Sequence, residues 1–449
     1  MTVAEVRLWG STIGAVVIDE DERIASFEYD RGFAQSGIEV SPIMMPLETP
    51  PGRSVYRFPE LDNEAFRGLP GLLADSLPDR FGNALINAWL ATQGRLPASF
   101  NSVERLCYIG TRGMGALEYA PAKGPRARKA QDIDIEALVA LASEILSNRQ
   151  QLQGSLTPDE REESLRDILR VGTSAGGARA KAVIAWNPTT NEVRSGQVDA
   201  DPGFEHWLLK FDGVSGNRDK ELEDPHGYCA IEYAYYLMAR EAGILMNECR
   251  LLEEGPRRHF MTRRFDRVNG SGLRAAGTSE AHTEKIHVQS LAALGHFDYN
   301  RAGAFSYEQA FLIMRRLNLP MSDIEQLFRR MVFNVVARNQ DDHVKNISFM
   351  MDKSGRWSLA PAYDVTYAYN PSGAWTASHQ MSINGKRSDI AFDDLQSCAE
   401  TALLKRGRAK AILAEVTEAV KQWPEFADAA QVDVRYRDAI GSAHLLSIR

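Results

Sequence analysis

Cysteine is scarce in this chain. Its 449 residues hold four, Cys107, Cys229, Cys249 and Cys398, and no two of them form a C-x-x-C pair. That spacing gives no support to a zinc site or a dithiol redox motif, and it fits apolar thiols in a reducing compartment. Long apolar runs are lacking as well. No window approaches the ~18 uninterrupted apolar residues of a membrane span, and the run Gly14–Ile18 is too short for the core of a signal peptide. The expected location is the cytoplasm, with no membrane partner. Positive charge is not in excess: 52 Lys and Arg against 60 Asp and Glu give a formal net charge of −8, which argues against a protein that coats nucleic acid with its whole surface. No internal repeat or low-complexity tract stands out.

What is there has the make-up of a soluble globular protein, 44% hydrophobic and 25% charged. The length calls for two or three domains. Up to about residue 40 the chain alternates apolar and polar around Gly10 and Asp19–Asp21, as short strands do. Ser76, Pro78 and Gly94 bracket a helix whose apolar residues recur three and four apart from Asp79 onward. The basic stretch 121–132 and the polar stretch 151–163 read as loops. Between them and residue 265 lie a glycine-rich turn, probable strands at 181–187 and 206–212, a helix at 227–243 and two further strands, CRLLEE and RHFMTRRFD. From about residue 285 the pattern is largely helical, with one strand pair turning at Lys353–Gly355. The expected class from this order is α+β, a two-lobed enzyme with its cleft between a mixed N-lobe and a helical C-lobe.

The densest polar cluster is RNQDDHVKNIS (338–348), set where the apolar helical run Phe328–Ala337 ends. Asp341 and Asn346 stand five residues apart. Protein kinases use that interval between the Asp that takes the proton of the attacking hydroxyl and an Asn that holds Mg²⁺. Asp364 follows the strand pair in LAPAYDVT and occupies the place of a second magnesium ligand. Lys345 is suited to neutralise transferred phosphate. His343 reads as a hydrogen-bonding brace, since no second His stands at metal-site spacing. Upstream, Lys210 ends an apolar strand, a costly place for an ammonium unless it is paired. Glu232 on the next helix is its natural partner, and together they resemble the lysine–glutamate pair that holds ATP phosphates. The turn VGTSAGGARAK has Walker A glycine spacing at Gly172 and Gly177, but Ala178 replaces the required lysine and rules that motif out. Its backbone, with Arg179 and Lys181, can still drape over phosphates.

Taken together, DSLPDRFGN (75–83), TSAGGARAK, IEYAYYLMAREAGI, RRFDR (263–267), DDHVKN and PAYD make the chain resemble the HipA-type serine/threonine kinase toxins of type II toxin–antitoxin systems, over about three quarters of its length. The resemblance implies an α+β, two-lobed protein-kinase-like fold with a mixed N-lobe and a mainly helical C-lobe. Its parts would be a β-rich subdomain (1–122), a nucleotide-binding part with glycine-rich loop, lysine strand and hinge (123–265), and a helical lobe with the catalytic loop (266–449). It also implies ATP and Mg²⁺ as cofactors, Asp341 as catalytic base, and Asn346 and Asp364 as magnesium ligands. Lys210 would hold phosphates, as would the loop of Thr173, Ser174, Ala175, Gly176 and Lys181. The backbone at Arg263 and Phe265 would meet adenine. It further implies autophosphorylation at Ser174, beside Thr173, which adds nearly two negative charges to a loop built for triphosphate. A small helix-turn-helix antitoxin of the HipB type would be the partner, with DNA reached only through it. The substrate would be a protein, an aminoacyl-tRNA synthetase in the best-known cases, with growth arrest as the result. Two departures stand out: Arg263 occupies a hinge position where an acid is expected, and IHVQSLAALG (286–295) lacks an acidic pair. Two other functions stay open at this point, a small-molecule kinase and a non-catalytic partner of a DNA-bound repressor.

Overall fold

The structure, a computed structural model, describes residues 1–19, 23–47, 55–123, 134–147, 179–196, 203–214, 227–270 and 282–449. The chain divides into two compact units. One comprises Met1–Ile38, Leu47–His226 and Leu252–Val288, the other Glu39–Pro46, Gly227–Leu251 and Gln289–Arg449. Antiparallel sheets dominate the first and helices the second, as an α+β chain should have it.

In the first unit, strands β1 (Thr2–Leu8), β2 (Ser11–Ile18), β3 (Ser26–Tyr29), β4 (Val55–Tyr56) and β5 (Leu117–Ala120) form an antiparallel sheet in the order β4-β3-β2-β1-β5. Trp9 and Gly10 turn the first hairpin with positive φ at both residues, 51° and 84°. That is the twist-matched geometry for a two-residue connection, and glycine adopts it without strain. The helix Arg80–Thr92 follows the expected periodicity, but its cap differs from expectation. Asp79, not Ser76, occupies the N-cap and accepts from the Gly82 N–H at 2.7 Å. Its carboxylate reaches the exposed first-turn donors directly.

A second sheet holds β6 (Lys181–Trp186), β7 (Val193–Ser195), β8 (Glu205–Lys210), β9 (Cys249–Glu254, of which Leu252–Glu254 belong to this unit) and β10 (Arg257–Arg263) in the order β7-β6-β8-β10-β9. Every residue of β6 is buried. This accounts for its unbroken run of apolar residues after Lys181, because a strand covered on both faces loses its alternation. Phe81, Leu85, Ile86 and Leu90 of the N-terminal helix share one core with Ile184, Trp207, Leu209 and Met261 of this sheet. A short pair, β11 (Arg267–Gly270) and β12 (His282–Lys285), completes the unit.

The second unit is built on the helix Met321–Val336, whose Ile324, Leu327, Phe328, Met331, Val332, Val335 and Val336 are buried at helical spacing. The helices Tyr228–Glu241, Tyr307–Arg316, Arg408–Lys421 and Trp423–Ala429 belong to it as well, as does the expected hairpin of β14 (Ser348–Met351) and β15 (Trp357–Leu359). Several short strands escaped the sequence reading: β4, β5, β7, β11, β12 and one more. β13 (His287–Ser290) opens the half expected to be helical, and its four residues are too few for a period to declare itself.

Candidate active site

At the end of the helix Met321–Val336 the chain must leave a buried environment without abandoning its polar backbone. Arg338 does this in the left-handed region, φ 58°. Its Nε donates to Ala443 O at 3.0 Å and its guanidinium lies 4.4 Å from the Tyr369 ring centroid. The following loop runs beside residues 364–370. Ala368 N–H donates to Arg338 O and Gln340 N–H to Ala368 O. Tyr363 Oη donates to Lys345 O at 2.6 Å and lies 2.5 Å from Ser348 Oγ. These bonds bring the stretch carrying Asp364 back to the stretch carrying Asn346.

The two adjacent acids meet opposite fates. Asp342 is buried and accepts from Tyr307 Oη (2.8 Å) and Gln380 N–H (2.7 Å), with His379 Nδ1 at 2.9 Å. Burial alone would raise its pKa. The neighbouring His379 and the donated hydrogen bonds outweigh that and hold the carboxyl below its ordinary value. Asp341 is half-exposed, and its Oδ1 accepts from Trp375 Nε1 at 2.7 Å. His343 Nε2 is 3.9 Å from the same oxygen, beyond a hydrogen bond. Lys345 Nζ sits 4.5 Å over the ring of Tyr299, a contact that holds a cation without neutralising it.

Asn346 donates its side-chain N–H to Asp341 O at 2.9 Å, so its amide oxygen is the end suited to act as a ligand. Asn346 and Asp364 line one cavity of about 30 Å³ together with Asn339, Asp342, His343 and Tyr363, room for a water or a small ion. Asp364 adopts φ 54°, a conformation that costs a non-glycine residue energy and clusters at functional sites. An amide oxygen and a carboxylate are the hard donors Mg²⁺ takes, and it commonly completes its octahedron with water and phosphate oxygens. Among the described residues no group of three or more His, Cys, Asp or Glu could hold a metal by itself, so an ion here would depend on such added oxygens. The donor set therefore fits Mg²⁺ carried with a nucleotide.

In the first unit, β6 and β8 place Lys181 directly opposite Lys210. Cross-strand partners project to the same face of a sheet. Both lysines are buried, at 2% and 4% exposure. Like charges facing each other across a pair destabilise it, and two buried ammoniums side by side suit a polyanion. Lys181 Nζ lies 3.5 Å from Asp79 Oδ2, and Lys210 Nζ lies 5.6 Å from the Phe260 ring centroid. At the end of β10, Arg263 turns its side chain to Glu205 at 3.2 Å, while the Arg264 N–H donates to His206 O. Asp266, fully buried, accepts from Arg264 Nε (2.9 Å) and Nη2 (2.7 Å), Arg267 Nη1 (2.8 Å) and Gly115 N–H (2.7 Å).

The structure thus gathers Asn346, Asp364, Asp342 and His343 around one cavity with Asp341 bonded to its edge, and it pairs Lys181 with Lys210 across two strands. Arg263, the last residue of β10, and Phe265 just beyond it lie in the same unit as the two lysines. Glu232 is buried in the helix Tyr228–Glu241 of the other unit. Thr173, Ser174, Ala175 and Gly176 lie outside the described residues, as do most of stretch 121–132 and all of 151–163. Sequence reasoning missed Tyr307, Trp375, His379 and Gln380. They lie some 35 residues to either side of the Asp pair, and no local spacing marks them. Asp79 as partner of Lys181 was missed for the same reason.

Residues 4–120 match the HipA N-terminal domain and residues 173–423 the HipA-like C-terminal domain. A Sinorhizobium fredii (strain NBRC 101917 / NGR234) protein named "Putative kinase Y4mE" is 29% identical over 113 residues; the chain spans about a quarter of that curated relative, 26%, using 24% of its own length. Among solved structures, a chain of the Shewanella oneidensis MR-1 HipA–HipB toxin–antitoxin complex with its operator DNA aligns at TM-score 0.66 and 16% identity, covering 98% of this chain and 96% of that one. The two share a fold. The Helicobacter pylori proinflammatory kinase CtkA reaches TM-score 0.31 at 12% identity, over 53% of this chain and 90% of that one, too low to bear on the argument. With the C-terminal domain match alone spanning more than half of its residues, the chain belongs to the HipA family.

Proposed function

We propose that this protein is an ATP- and Mg²⁺-dependent serine/threonine-protein kinase acting as a HipA-like toxin. The observation that carries the reading is the Asp341–Asn346 loop, in which the Asn side chain is fixed to the Asp backbone at 2.9 Å and shares a cavity with Asp364. In this reading Asp341 accepts the proton as a substrate hydroxyl attacks the γ-phosphorus of ATP and the bond to the ADP oxygen breaks. Asn346 and Asp364 hold the ion. When bound, Mg²⁺ offsets the charge on the phosphate oxygens. Lys181 and Lys210 bind phosphates, Lys345 faces the transferred group, and the backbone from Arg263 to Phe265 meets adenine.

The same reading makes Ser174 the autophosphorylation site, makes a protein the substrate (an aminoacyl-tRNA synthetase is the class the resemblance implies), and makes growth arrest the outcome. The Shewanella oneidensis relative occurs with HipB and operator DNA. By extension we propose a helix-turn-helix antitoxin as partner here, with DNA contacted through it. The test is to incubate the full chain with labelled ATP and Mg²⁺, wild type beside Asp341→Asn. Label on Ser174 or Thr173 of the wild type, reduced at least ~100-fold in the variant, is the expected result. An unlabelled wild type that is also harmless when expressed alone would leave the chain as a non-catalytic binding partner.

A further inference from the structure

The 27 positions from Asp364 to Ile390 contain no helix and no strand longer than an isolated bridge. A stretch that long without regular structure inside a packed unit is usually functional. This one is tied to the catalytic loop at both of its acids. Asp342 takes the Gln380 N–H on Oδ1 and His379 Nδ1 on Oδ2. Gln380 in turn donates its side-chain N–H to Trp375 O at 2.5 Å. Trp375 closes the circuit by donating its indole N–H to Asp341 Oδ1 at 2.7 Å. Among the described residues, Asp341 Oδ2 receives no hydrogen bond.

We infer that Trp375 is a positioning residue for the phosphotransfer reaction, an inference that rests on the kinase reading above. Its indole N–H pins one carboxylate oxygen of Asp341 and so aims the other at the substrate hydroxyl. The physical case is the difference between the two acids. Asp342, buried with three partners, has its oxygens occupied and serves as the anchor. Asp341, half-exposed on the loop, would swing about its χ angles unless something held one oxygen. An indole is well suited to hold it, because it offers a single N–H and accepts nothing, so it cannot compete for the proton that Asp341 must take. Tyr307, which donates to Asp342 and accepts from Asn334 Nδ2 at 3.0 Å, carries the anchor back to the core helix. A charge-assisted hydrogen bond of this kind fixes geometry as well as adding energy, and small misplacements of a catalytic group cost rate steeply.

The decisive variant is Trp375→Phe, which keeps ring packing and deletes the N–H. The measurement is the maximal rate of label transfer from ATP–Mg²⁺ to the full chain and the ATP concentration at half-maximal rate, with a thermal melt beside it. The expected result is a maximal rate lowered about 10- to 100-fold, half-saturating ATP within about twofold, and a melting temperature lowered by no more than about 4 °C, as the loss of one half-exposed hydrogen bond requires. In the Asp341→Asn background, Trp375→Phe should slow the residual rate no further, because the two act as one unit. A maximal rate within twofold of wild type overturns the inference. So does a fall in ATP affinity or melting temperature that parallels the rate, or a variant that fails to fold, since each would make Trp375 a packing residue only. Full activity of Asp341→Asn would also overturn the inference, because Trp375 would then have no base to position. Should the wild type itself transfer no label from ATP, the kinase reading fails instead, and the two failures are thereby told apart.

Discussion

Replacing Asp266 by asparagine removes one negative charge from the interior and changes almost nothing in shape. Four donors converge on this carboxylate, three from the guanidiniums of Arg264 and Arg267 and one from Gly115 N–H. The side chains of both arginines are at most 6% exposed. Asparagine keeps one acceptor oxygen but puts an N–H against a guanidinium N–H, and leaves two cations without their counter-charge. Removing one partner of a buried ion pair costs about 3–5 kcal/mol. Arg267 retains bonds to the carbonyls of Gly113, Gly115 and residue 266, which puts the loss at the low end, about 3 kcal/mol. For a unit of this size that corresponds to a melting temperature roughly 6–12 °C lower. The pH dependence carries a second signature. Burial would raise the Asp266 pKa, but Arg264 and Arg267 outweigh it and hold the carboxyl well below its usual range. A depressed carboxyl contributes stability that is fully present above the unfolded value of about 4 and is lost as pH falls toward the folded value, so wild type and variant converge in acid. Thermal and urea melts of the full chain at pH 7 and pH 3 measure both effects. A loss under about 1 kcal/mol at pH 7, or a gap that does not narrow in acid, would refute the reasoning.

Acid should also act through histidine. Burial brings His206, His296 and His444 down to about 4, with Arg264 adding to it at His206 and Arg338 at His444. Such groups stay neutral when folded and take up protons on unfolding, so stability falls between about pH 6.5 and 4, by about 1–2 kcal/mol for each at pH 5; urea midpoints equal at pH 7 and pH 5 would contradict this. Replacing Lys181 by methionine deletes one of the two facing ammoniums, and a hydrogen bond to a charged group contributes about 1.5–3 kcal/mol. Titration calorimetry should then read ATP–Mg²⁺ affinity about 10- to 100-fold weaker, and an affinity within twofold of wild type would take Lys181 out of the phosphate site.

The patterns that repeat within one element were legible in the residues alone. Period-two alternation marked the first hairpins, and the buried spacing of Phe328–Ala337 marked the core helix. The hairpin between Asn346 and Asp364 was legible as a short turn that returns the chain, and in the fold these two side chains line one cavity. Contacts between distant stretches were not legible. Nothing near Lys181 announces that Asp79, about a hundred positions earlier, caps a helix with one oxygen and meets the ammonium with the other. Nor does the sequence separate the two adjacent acids. Only the folded chain buries Asp342 among Tyr307, His379 and Gln380 and leaves Asp341 half in solvent under the indole of Trp375. Local sequence sets periodicity and turn geometry through steric preference. Burial and partner choice depend on which remote segments the core brings together, and that is decided in three dimensions.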